Sequence, residues 1–165
     1  MPTDSELRAS ILSQYQASIT MLRNAVEQCP ADLWIAPAPN HFWHIAWHAL
    51  FYTHLYLSPT EADCIHPVNH QVDSQFMTFE RWKRPDSPVL RPYTRDEVLA
   101  YADFCLEYAE AQVVVVDLDA PSGFYWQPIR KFEMQVYNIR HIQHHAGQLI
   151  DRLRIHADIG IEWEG

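Results

Sequence analysis

The chain has 165 residues, 48% of them hydrophobic, with only 4 glycines and a formal charge of −9 when histidine is counted neutral. That length suits one domain, residues 1–165, with a full core, and the composition excludes a disordered or fibrous chain. The acidic balance, with no Lys/Arg cluster, excludes nucleic-acid binding as the main task and argues against a polybasic membrane anchor.

No charged segment followed by an apolar run stands at the N-terminus, so no signal peptide is expected. No uninterrupted apolar stretch reaches the length of a bilayer span. Cys29, Cys64 and Cys105 are isolated and odd in number, which reads as reduced thiols in a cytoplasmic protein rather than a disulfide frame. Cys64 falls in a loop and reads as incidental.

Thr3-Asp4-Ser5-Glu6 has the pattern of a capping box. Leu7, Ile11, Tyr15, Ile19, Leu22 and Val26 then recur at helical spacing, which predicts a first helix over Asp4–Gln28. Cys29-Pro30 ends it, because proline cannot continue the ladder. Residues 31–40, with Pro37 and Pro39, are expected to be an extended connection.

His41–Ser58 is the second predicted helix, apolar and aromatic on nearly every side and therefore central and buried. With about 100° per residue and His48 at zero, His41 falls at about 20°, His44 at about −40° and Tyr52 at about 40°. Three histidines thus share one face, while His54 points the other way. One histidine on such a helix reads as a satisfied core residue; several on one face favour a metal site.

Residues 59–93 form a long connection with five prolines. Connections of this length in a compact domain are often functional covers, and Phe76, Phe79 and Trp82 are expected to fold over a cavity mouth or to contact a second copy in a homodimer. His66 and His70 stand four apart, but the intervening Pro67 argues against a preformed second metal pair. Thr94-Arg95-Asp96-Glu97 is another capping box and opens a third helix that runs to about Val116. The β-branched run Val113–Val116 is kept as a helix end, because a lone strand would have no partner. After a turn at Asp119–Gly123 and an aromatic approach over Phe124–Pro128, the last helix is expected at Ile129–Ala157, followed by an acidic tail with Trp163 as a packing anchor. Four long helices and one long crossover between the second and third predict an all-α four-helix bundle.

The last helix carries the sharpest chemistry. His141 and His145 are four residues apart, so a helix places both imidazoles on one face, one turn apart, able to share one cation. Around that pair Gln148 falls at about −20°, Arg152 at about 20° and Asn138 at about 60°, a polar stripe that can hold the second imidazole nitrogens or touch substrate. His144, at about −60°, leans to solvent. From this helix alone, a metal pair and a plain amphipathic helix with hydrogen-bonded core histidines fit equally well.

Phe42-Trp43-His44-Ile45-Ala46-Trp47-His48-Ala49-Leu50-Phe51, together with His141-x-x-x-His145-x-Gly147-Gln148, resembles the DinB/YfiT-like superfamily of metalloenzymes. The resemblance covers most of the chain, helix order included. It implies a four-helix bundle and one divalent metal held by His48, His141 and His145, with His44 one turn from His48 as the rival. Where many relatives carry arginine before the glycine, this chain has Ala146. Characterised relatives are similar to transferases and isomerases that use low-molecular-weight thiols.

Three histidines leave a coordination position open, the arrangement of catalytic sites. The first functional expectation is therefore a metal-dependent S-transferase, with zinc or nickel and then iron as the metal and a small thiol as partner. His44, Tyr52, Asn138, Gln148 and Arg152 are candidates to support the ligands or touch substrate. The alternatives are a metal-dependent hydrolase, without the His-Glu-x-x-His pattern of metalloproteases, and a non-catalytic binding module whose metal only stabilises the bundle.

Overall fold

The computed structural model describes residues 3–81 and 83–165, Phe79 by its backbone alone. Trp82 and the side chain of Phe79, expected over the cavity mouth, lie outside the described residues. The chain is all-α, with no strand among the described residues beyond one isolated bridge between Pro121 and Arg130.

Helix α1 (Asp4–Gln28) starts at the expected box: the Thr3 hydroxyl accepts from the Glu6 amide, and the Glu6 carboxylate accepts from the Thr3 amide. Residues 31–40 are not wholly extended. Pro30, with φ −60°, presets a single helical turn, α2 (Ala31–Trp34), before Pro37 and Pro39 stop it. That turn buries Trp34, whose indole N–H donates to the Tyr93 carbonyl at 2.8 Å.

Helix α3 (Phe42–Leu57) is buried along its whole length except at Tyr52. The connection from 58 to 94 contains a 3₁₀ turn at Glu61–Asp63 and one helical turn, α4 (Thr78–Arg81). One knot ties it to α3 beside the contacts made by His44, His48 and Phe51. Tyr93 stacks on Trp47 with ring centroids 3.6 Å apart, the Trp47 indole N–H donates to Ser74 Oγ at 3.0 Å, and the Tyr93 hydroxyl accepts from the Gln71 amide at 2.8 Å. Every polar group in the knot is paired, so this stretch of loop can be buried without penalty.

Helix α5 (Arg95–Val115) opens on the second capping box and carries the valine run to its end, with Val116 extended as C-cap. Helix α6 (Lys131–Ala157) starts two residues later than expected. The Ile129 carbonyl and the Lys131 amide are taken by Ser122 and Ala120 across the bridge, so the helical ladder begins only after them. At its other end Asp158 adopts the left-handed conformation, φ 55°, and the chain turns back so that Ile159 and Ile161 pack on the core. Trp163 is 77% exposed and is not the packing anchor of the tail.

The four long helices share one apolar core. Helices α1 and α3 each pack against both α5 and α6 and barely meet one another. The end of α3 is locked to the start of α6. The buried Lys131 ammonium donates to the carbonyls of Ser58, at 3.0 Å, and Pro59, at 2.8 Å. A cation at the C-terminal end of α3 also meets that helix's negative pole. Ten residues back from Ser58 stands His48, and ten residues on from Lys131 stands His141. At 1.5 Å per residue both lie roughly 15 Å from the lock, at the same level of the packed pair.

Candidate metal centre

His48 from α3 and His141 and His145 from α6 converge. The Nε2 atoms of His48 and His141 are 3.2 Å apart, and those of His145 and His141 are 3.1 Å apart. His48 and His145 are buried and His141 half-buried. Among the described residues they are the one group of three or more such side chains whose ligating atoms fall within 4.8 Å of one another. Two nitrogens bound tetrahedrally to one ion at 2.0–2.1 Å would stand about 3.3–3.4 Å apart. The observed spacing is close to that.

The tautomers fit the same occupant. His48 Nδ1 lies 2.5 Å from the Gln75 carbonyl, and His145 Nδ1 lies 2.9 Å from Gln148 Oε1. Both partners accept, so both Nδ1 atoms carry the proton and both Nε2 atoms present lone pairs. Neutral His141 has one N–H to give. Without a cation, either both of its Nε2 contacts bring two lone pairs together or, with the proton on Nε2, one hydrogen is left to serve two acceptors. A divalent ion between the three rings removes that conflict. Burial, reinforced by the neighbouring imidazoles, pushes His48 well below its ordinary pKa and His141 down to about 3; burial also lowers His145 against the Gln148 hydrogen bond. All three are neutral at neutral pH, the form a metal needs.

The other candidates are placed differently. His44 does not join the group of three: its Nε2 faces the Ser74 carbonyl at 3.1 Å, and its ring stacks on Trp43. Tyr52 stands beside the site, its ring 4.9 Å from that of His48 and 5.6 Å from that of His141, and burial raises its hydroxyl pKa. Gln148, although exposed, holds His145, and its amide nitrogen lies 3.2 Å from His144 Nε2. Asn138 is fully buried and donates to the Thr53 carbonyl at 3.1 Å, tying α6 to α3. Arg152 does not join the three histidines: it sits two turns beyond His145 and donates to the Asn40 carbonyl at 2.7 Å. The helical angle that grouped Arg152 with the pair ignores the rise along the axis.

His54 points to α5, as its angle predicts, with Nδ1 3.1 Å from the Tyr101 hydroxyl. His66 and His70 have ring centroids 4.4 Å apart beside Phe51 and gather no third ligand among the described residues. Cys64 is buried, and burial pushes its thiol up to about 11, which makes it a poor nucleophile.

His48 and His141 form part of the wall of a cavity of about 790 Å³. A hollow of about 890 Å³ at residues 119–133 and another of about 640 Å³ beside Arg152 contain none of the three histidines. The chemistry therefore selects the cavity that volume alone does not. Residues 75–77 of the crossover complete it, so this loop both shapes the chamber and orients His48 through Gln75. Gln75 acts through its backbone carbonyl, and no side-chain pattern in the sequence announces such a partner.

A scan against protein-family models finds no match for this chain, and a search of curated proteins finds none.

Proposed function

We propose that the chain is a metal-dependent enzyme of the DinB/YfiT-like kind, a four-helix bundle with its long crossover between the second and third long helices. His48, His141 and His145 hold one divalent ion, and the adjoining cavity takes a small thiol for S-transfer to an electrophile. The observation that carries this reading is the convergence of three neutral imidazole nitrogens, two of them already fixed in the tautomer a cation requires. Zinc or nickel, and then iron, suit an all-imidazole donor set.

When bound, the ion supplies Lewis acidity that favours the thiolate form of a sulfur ligand at neutral pH. The chain supplies the rest. Gln75 and Gln148 orient two of the rings through their Nδ1 protons. Tyr52 keeps its hydroxyl protonated beside His48 and His141, where it offers a hydrogen bond to a bound group.

Protein purified without an affinity tag should contain close to one divalent ion per chain, and His145→Ala should contain almost none. Replacement by cobalt should give the visible bands of a low-coordinate site, and a small thiol should add a sulfur-to-cobalt charge-transfer band. Metal content near zero in both proteins overturns the proposal. A metal-loaded chain that shows no thiol band, yet cleaves esters or amides, is a hydrolase instead.

A further inference from the structure

The cavity beside the histidines has a charge character that the three rings do not explain. Glu61 and Glu80 stand on its wall, with Arg84 the cation among the described lining residues. Arg84 is already engaged: its guanidinium lies 3.8 Å from the Phe76 ring centroid and 3.9 Å from the Asp73 carboxylate. Two carboxylates against one guanidinium leave the described lining net negative. Glu80 is fixed in place, accepting from the Met77 amide at 2.9 Å. Its field adds to burial in raising the hydroxyl pKa of Tyr52 and Tyr56, with Arg84 opposing it at Tyr52.

Two further features agree. Tyr52, Tyr56, Tyr137 and Trp126 line the cavity as a group of aromatic rings, with Tyr56 5.5 Å from Tyr52 and 5.7 Å from Tyr137. Aromatic faces attract cations and are indifferent or hostile to anions. Gln75 also lines the cavity, and its buried Oε1 accepts no hydrogen bond among the described residues. A buried acceptor without a donor is costly, and a ligand that brings an N–H removes the cost. Carboxylates, ring faces and an unused acceptor point to one chemistry.

We propose that the chamber selects a ligand bearing a protonated amine, with its ammonium group held between Glu80, the Gln75 side-chain oxygen and the tyrosine faces. This rests on reading the cavity as the substrate chamber of the histidine site, and it narrows the substrate class: an amine-bearing thiol or acceptor is taken, and a carboxylate-rich one is refused.

The test uses three probes of one shape and different charge: 2-phenylethylamine, 2-phenylethanol and phenylacetate, titrated calorimetrically into the metal-free full chain at neutral pH. Without metal, no probe can bind by coordination. The amine should bind about tenfold more tightly than the alcohol, the scale of a desolvated cation–π contact, and the acid should bind least. Glu80→Gln, which keeps the shape of the side chain, should remove most of that preference, read as the ratio of amine to alcohol affinity. Equal binding of amine and alcohol, tightest binding of the acid, binding of none at millimolar concentration, or an undiminished preference in Glu80→Gln each overturn the proposal. Metal loading of the same preparation is scored separately. A chain that takes no metal but prefers the amine refutes the enzyme reading alone; one that takes metal without the preference refutes the charge selection alone.

Discussion

Among the described residues the buried Nδ1 of His141 has no hydrogen-bond partner, and three residues earlier the buried Oδ1 of Asn138 has none either. They share one stripe of α6, and a hydrogen bond from His141 Nδ1–H to that amide oxygen would satisfy both atoms. That bond would fix His141 with its Nε2 lone pair outward, as the partners of His48 and His145 already do for theirs. Asn138→Leu should therefore weaken zinc binding by about tenfold or more in a chelator competition. It also removes the donor to the Thr53 carbonyl, so the metal-free protein should lose about 1–3 kcal/mol in urea unfolding. A variant that loses stability but keeps its zinc affinity would make Asn138 a strut between helices and nothing more.

At the scale of elements, the site depends on where α3 stops and α6 starts. Lys131 clamps the Ser58 and Pro59 carbonyls, and Gly123 closes the same corner with φ 85°. A Cβ at Gly123 would collide with the Pro59 carbonyl oxygen, the same atom that Lys131 holds. Gly123→Ala thus combines a left-handed backbone with a clash and should cost about 1–3 kcal/mol in equilibrium unfolding. Because His48 and His141 sit equally far from this corner, the same variant should also loosen zinc binding. An unchanged zinc affinity in a destabilised Gly123→Ala would show that the core, rather than the corner, sets the register of the two helices.

For the whole molecule, histidine burial shapes the response to acid. His44 and His54 are both pushed down to about 4, chiefly by burial, and are neutral in the folded chain. Unfolded, they take up protons near the ordinary value of about 6.5. The unfolded state binds more protons between those values, so stability is fully present above about 6.5 and is lost as pH falls towards about 4. The urea midpoint of metal-free protein should accordingly be lower at pH 5 than at pH 7.5. A midpoint that rises on acidification would contradict the burial of these rings. No helix among the described residues is long and apolar enough to cross a membrane, in keeping with the charge of −9 and the buried aromatic core.

The four long helices were legible because their signals are local. Thr3 and Thr94 announce capping boxes, Pro30 ends α1, and the apolar spacing of α1, α5 and α6 repeats with the helical turn. The pairing of His141 with His145 is local too, since four residues on a helix always share a face. The short turn at Ala31–Trp34 and the exposure of Trp163 were not legible, because a tertiary contact decides each: Trp34 reaching Tyr93, and Ile159 taking the place on the core. The third histidine was named as His48 through the family resemblance, with His44 as its rival. His44 and His48 lie on one face of α3, and helical angle cannot separate them. Only the packed structure does so, by giving the Ser74 carbonyl to His44 and bringing His48 level with His141 through the corner at Lys131. The amino-acid sequence thus determined which residue types face inward and with what period. Which of them meet across 93 residues of chain was decided by loop carbonyls and helix register, which have no side-chain signature to read.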